Sequence, residues 1–194
     1  MQQMDADSVL DELGILPGIN EVIVTTERDG VPNAAPIGII RGERITVRLF
    51  LGTHTYENVL ATGQLVANVT HDPMIFVEAA MTDLGEECFL RRGGVLTLKD
   101  AESWALFRCS PYRTDIIMPE LEFVRGEVIK KEFRAINRGV SCVIEAAIAA
   151  TRYNALRVDS YLEEIRKLKR IVQRCGGPRE IAAMKRLEEH LALP

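Results

Sequence analysis

V-P-N-A-A-P-I-G-I-I (residues 31–40), a turn at Arg41-Gly42-Glu43, I-T-V-R-L-F-L (residues 45–51) and G-T-H-T-Y-E-N (residues 52–58) make up the stretch that decides how this chain is read. Small residues and a proline interrupt what is otherwise an apolar strand. Ala34, Ala35 and Gly38 keep bulk away from the backbone, and Pro36 removes a ladder donor, which places it at a sheet edge or a bulge. Such a strand lets a flat ligand lie along its main chain from Asn33 through Ala34, Ala35, Pro36 and Ile37 to Gly38. One connection later, Gly52-Thr53-His54-Thr55 ends a strand and opens a short helix. The first turn of a helix has free N–H groups and the positive end of the dipole, which suits a phosphate. Thr53, Thr55 and Asn58 can add two hydroxyls and an amide, with His54 beside them. The same residues also describe a capped helix and nothing more, since Thr is a common N-cap.

Working outward, residues 8–13 read as one or two helical turns ended by Gly14. Residues 21–26 alternate into a strand, and Arg28-Asp29-Gly30 is a hairpin turn with a glycine available for positive φ. With residues 31–40 and 44–51, this makes an antiparallel meander, the start of a barrel or a sandwich. Residues 56–62 form a short helix stopped by Gly63, and residues 65–70 a strand broken at His71-Asp72-Pro73. Residues 74–81 are apolar and fit either strand or helix. Arg91-Arg92-Gly93-Gly94 reads as a turn, Ser110 to Arg113 as a loop, and residues 121–133 as a long strand in which Gly126 marks a bulge or corner.

The pattern changes at Asn137. Val140, Val143, Ile144, Ala147, Ile148 and Thr151 recur at helical spacing, with Glu145 on the opposite side. A second helix opens with the capping pattern Ser160-x-x-Glu163 and carries Leu162, Ile165, Leu168, Val172 and Cys175. A third starts at Pro178 and is lined by Ile181, Met184, Leu187 and Leu191. The expected division is therefore a barrel domain over residues 1–136 and a helical segment over 137–194, packed on the barrel or on a dimer partner.

Composition narrows the classes. A chain of 194 residues with 47% hydrophobic and 27% charged residues is ordinary for one globular domain, alone or with an appendage. A net charge of −4 argues against a nucleic-acid surface. No apolar run reaches the roughly 18 residues of a membrane span, and the polar, acidic start M-Q-Q-M-D-A-D is unlike a signal peptide. A cytoplasmic location is expected. Cys88, Cys109, Cys142 and Cys175 are scattered, and with three histidines they argue for neither a metal site nor a disulfide framework. His71 is a turn histidine or a proton donor beside a ligand. It does not form a dyad with Asp72, because neighbours on an extended chain point to opposite sides. Ser110 lacks a nucleophile-elbow context.

A planar ring on residues 33–38 and a phosphate at residues 53–58 together describe flavin mononucleotide, FMN. The segments P-N-A-A-P-I-G-I and G-T-H-T-Y-E-N-V-L resemble the FMN-binding split-barrel superfamily of flavin reductases and pyridoxamine-phosphate oxidases. Within it the chain is similar to a mainly archaeal group, the domain-of-unknown-function 447 family, whose later segment resembles N-R-G-V-S-C-V-I-E-A-A-I-A-A-T-R-Y (residues 137–153). The resemblance implies a mostly antiparallel split β-barrel followed by helices, FMN as cofactor, and a homodimer that completes the flavin groove. It implies a flavin-dependent reductase or oxidase of unknown substrate, acting with NAD(P)H or a reduced carrier. A non-catalytic FMN carrier or sensor, and a structural homologue without cofactor, remain as alternatives. No catalytic residue is identified. Many such proteins put Arg or Lys beside the phosphate, which G-T-H-T-Y-E-N lacks; Arg113, Arg138 and Arg152 are the candidates for that charge.

Overall fold

The computed structural model describes residues 6–109 and 118–192, in two compact units. Residues up to 70 together with 84–132 form a barrel unit, and residues 71–83 together with those from 133 onward form a helical unit.

The barrel unit starts with α1 (Ala6–Glu12), β1 (Gly18–Arg28) and β2 (Val31–Arg41). Asp29 and Gly30 both take positive φ, 54° and 80°, and close a two-residue hairpin whose twist matches that of its strands. There follow β3 (Ile45–Val47), α2 (His54–Thr62), β4 (Gln64–Val69), the hairpin β5 (Phe89–Arg92) and β6 (Val95–Leu98), then β7 (Ser103–Cys109) and β8 (Leu121–Val128). The main sheet runs β3-β2-β1-β4-β7-β8, and every pair is antiparallel. Its two ends approach each other: Thr46 bridges Glu120, and the Val47 amide donates to the Pro119 carbonyl at 3.3 Å. The sheet is thus curled into a barrel around Leu10, Val24, Ile39, Leu65 and Phe107. Residues 22–26 of β1 are buried on both faces. One face looks into that core, and the other lies under the β5–β6 hairpin, where the Thr25 hydroxyl donates to the Leu96 carbonyl at 2.7 Å.

Two expectations left open by the sequence are resolved here. Pro36 causes no bulge, for β2 pairs with β1 without a register break from Arg28↔Val31 to Gly18↔Arg41. Only residues 39–41 of β2 are paired on the other side, so among the described residues 31–38 are an edge, the alternative location for a strand proline. The bulge expected at Gly126 lies at Val124, the residue skipped between Phe107↔Phe123 and Leu106↔Arg125. Gly126 has a different reason: a Cβ there would sit 2.4 Å from the Trp104 carbonyl oxygen. β3 and β8 are also shorter than the apolar runs that announced them.

In the helical unit, α3 (Pro73–Met81) joins α4 (Arg138–Leu156), α5 (Ser160–Cys175) and α6 (Pro178–His190). The ambiguous run 74–81 is a helix because Asp72 caps it, accepting from the Met74 amide at 3.1 Å, with Pro73 in the first turn. Its Val77 packs with Val143, Ala146, Ile165, Met184 and Leu187. The buried face of α4 is centred on Val143, Ala146, Ala147 and Ala150, rotated from the expected stripe, and Thr151 is exposed. Asp159, not Ser160, is the N-cap of α5, and it makes no side-chain cap. A capping carboxylate instead serves α6, where Glu180 accepts from the Gly177 amide at 2.7 Å.

Candidate functional site

The candidate site lies wholly in the barrel unit and begins at the N-terminus of α2. Gly52, at φ 77°, turns the chain into Thr53, whose extended backbone makes it the N-cap. The Thr53 hydroxyl accepts from the Tyr56 amide at 3.2 Å and donates to the Phe50 carbonyl at 2.8 Å. That hydroxyl therefore holds the loop to the helix. His54, next in the chain, is exposed. The Thr55 N–H, second in the helix, has no intrahelical acceptor, as for every helix start.

Thr55 and Asn58, one helical turn apart, point into the barrel at 3% and 8% exposure. There they meet the β1–β2 hairpin. Asn33 donates through Nδ2 to the Thr55 hydroxyl at 2.9 Å and to the Thr26 hydroxyl at 3.1 Å. Asn58 donates through Nδ2 to the same Thr26 oxygen at 3.1 Å. Thr26 stands directly opposite Asn33 in the hairpin register. Three residues chosen from separate parts of the sequence thus form one polar cluster. The fourth member, Thr26, is missed by motif reading. The signal was present: counting outward from the Asp29-Gly30 turn pairs residue 26 with residue 33.

The remainder of the expected ring-binding segment follows along β2. Pro32 and Pro36 have the same parity, and neither can donate into the β1 ladder, so the even positions turn their backbone groups to the open edge. Ala34 and Gly38 then contribute its N–H donors, between carbonyl acceptors. Ile37 packs on the barrel core, while Ala34 is buried and Ala35 half-buried. Gly38 is small for an internal reason as well, since a Cβ would lie 2.9 Å from the Ile19 side chain.

The other flagged groups lie elsewhere. Ser110 and Arg113 fall outside the described residues. His71, Arg138 and Arg152 belong to the helical unit, where Asp72 pairs with Arg179 at 2.8 Å and Glu145 is exposed. Burial pushes the Cys109 thiol up to about 12, so it offers no thiolate at neutral pH. Among the described residues no cluster of His, Cys, Asp or Glu has the makings of a metal site, and no helix is long and apolar enough to cross a membrane. Phe50 and Leu51, beside α2, and Leu60 on it, expose more than half of their surface.

Residues 20–130 match the family described as protein of unknown function (DUF447), N-terminal domain, and residues 137–189 match protein of unknown function (DUF447). A crystal structure of an FMN-bound protein from Methanosarcina mazei, assigned to the same family, is 40% identical and superimposes with a TM-score of 0.87, covering 93% of this chain and 99% of that one. An uncharacterised protein of Methanocaldococcus jannaschii is 27% identical over 178 residues, 82% of this chain and 91% of its own length. An FMN-binding domain of a flavin reductase-like enzyme from Shewanella baltica aligns at 15% identity and a TM-score of 0.49, covering 62% of this chain and 71% of its own. The chain belongs to the DUF447 family and has the split-barrel fold with a helical C-terminal part.

Proposed function

We propose, from this family membership and the geometry of α2 and β2, that the chain binds FMN and works as a flavin-dependent reductase or oxidase. One observation carries the reading. The 2.9 Å hydrogen bond from Asn33 to Thr55 brings the open edge of β2 and the first turn of α2 to one place. A flat ring needs in-plane donors and acceptors, which the backbone of Ala34, Pro36 and Gly38 supplies along that edge. A phosphate needs helix-terminal N–H groups, and the Thr55 amide and hydroxyl stand at the right end of α2. The likeness to the FMN-bound Methanosarcina mazei protein, spread over nearly the whole chain, supports the same ligand.

When bound, FMN would supply the electron and hydride chemistry. The chain's own part is to hold the ring by main-chain groups and to hold the phosphate by the α2 terminus. NAD(P)H or a reduced carrier is the proposed electron source. The exposed Phe50, Leu51 and Leu60 support a homodimer, since apolar surface next to a ligand edge is what a second subunit would cover.

Colour tests the reading directly. Protein purified with added FMN and freed of excess should be yellow, carrying the visible absorption band of the oxidised cofactor. Bleaching by NADH or NADPH without oxygen marks a reductase. A coloured protein that neither NAD(P)H nor a reduced carrier bleaches favours a flavin carrier or sensor. A colourless protein that cannot be reconstituted sinks the proposal.

A further inference from the structure

We propose that Thr26, resting on the FMN reading above, is the positioning residue that sets the spacing between the ring-binding edge and the phosphate-binding turn. The geometry points to it because one oxygen takes two amide hydrogens from two different elements. Asn33, on β2, and Asn58, on α2, each donate to Thr26 Oγ1 at 3.1 Å. A hydroxyl oxygen has two lone pairs, so these two bonds fill it. The acceptor stands on β1, the strand paired with β2 on one side and β4 on the other, and it is 4% exposed. It is an anchor on a strand held from both sides. The Asn33 bond to Thr55 closes the arrangement from the other side.

The consequence is preorganisation. FMN touches both the edge of β2 and the first turn of α2, so its affinity depends on the separation of the two being right before it arrives. Riboflavin, which lacks the phosphate, touches only the edge. A device that merely stabilises the barrel serves both flavins equally. A device that sets the separation serves FMN alone.

The variants are Thr26→Val, which keeps the shape and removes the acceptor, and Thr26→Ser, which keeps the hydroxyl. Dissociation constants for FMN and riboflavin would be measured by fluorescence quenching on the full chain, with melting curves of each apoprotein. Thr26→Val should weaken FMN roughly tenfold, which corresponds to about 1.4 kcal/mol, with a much smaller change for riboflavin. Thr26→Ser should recover the FMN value. Asn58→Leu removes one of the two donors and gives a second route should Thr26→Val fold poorly. It should show the same FMN-selective loss, and where both variants fold their effects should be less than additive, because they break one shared contact. Equal weakening of both flavins, or an unchanged FMN constant, overturns the inference while leaving FMN binding intact. A parent chain that binds neither flavin overturns the FMN reading, and this inference with it.

Discussion

Asn68 Oδ1 accepts the Leu98 amide at 2.8 Å and so pins the β5–β6 hairpin to the main sheet from a fully buried position on β4. Its Nδ2 donates to the Ile23 carbonyl at 2.9 Å and to the Thr25 hydroxyl at 3.0 Å. Every polar atom of this amide is used, and the hairpin's own backbone depends on it. Asn68→Leu keeps approximate shape but orphans the Leu98 amide, at about 1–3 kcal/mol for that group alone. The melting temperature should fall by roughly 2–4 °C per kcal/mol. A variant that melts with the parent would mean that the hairpin is held by its apolar contacts alone.

Gly126 allows a comparably direct test. A methyl group there meets the Trp104 carbonyl oxygen at 2.4 Å and Leu13 Cδ1 at 2.5 Å, and the first of these is backbone. The strands β7 and β8 would have to separate. Gly126→Ala should cost about 1–3 kcal/mol through overpacking, measured by urea unfolding followed by circular dichroism. An unchanged midpoint would show that the two strands yield without penalty.

Much of this was legible because certain residues dictate backbone shape locally. Asp29-Gly30 set the hairpin, Gly63 at φ 67° stopped α2, and Pro178 opened α6. What stayed hidden depended on packing. Residues 74–81 show no clear period because the run is apolar almost throughout, and only the flanking Asp72-Pro73 settles it as a helix. The stripe on α4 was misplaced because its alanines bury closely against their neighbours, while larger residues such as Val140 and Ile148 are only partly covered. Within the candidate site, Asn33, Thr55 and Asn58 were visible as residue types. That they meet on Thr26 follows only from the hairpin register combined with the placement of α2, which no motif encodes.

The helical unit should carry an acid dependence at Glu78. Burial alone would push its carboxyl up, but the Arg186 hydrogen bond at 2.5 Å, the Arg186 charge and His190 at 3.3 Å outweigh it and hold the carboxyl below its ordinary value. A carboxylate with a depressed folded pKa stabilises the fold above the unfolded range, about 4.3. That contribution is lost as pH falls through the folded value. Arg186→Met removes the main opposing partner, and because Arg186 is half-exposed and screened by solvent the loss at neutral pH should be small. In an acid titration followed by helical circular dichroism, the variant should begin to unfold at a higher pH than the parent. Superimposable titrations would remove Glu78 from the account.

Thr53 and Thr55 are two residues apart and should behave differently, which tests where a phosphate sits. The Thr53 hydroxyl has committed its hydrogen to Phe50 and a lone pair to Tyr56. Thr53→Ala should therefore cost about 1 kcal/mol of stability, the usual loss of an N-cap, and should weaken FMN and riboflavin by the same small factor. The Thr55 hydroxyl accepts from Asn33 and keeps its own hydrogen for a further acceptor. A hydrogen bond to a charged group contributes about 1.5–3 kcal/mol. Thr55→Val should then lower FMN affinity roughly ten- to a hundredfold, at about 1.4 kcal/mol per tenfold, with riboflavin affected far less. Titrating both flavins against the parent and the two variants, with melting curves alongside, distinguishes a cap from a cradle. If Thr55→Val weakens both flavins alike, the phosphate lies away from the first turn of α2.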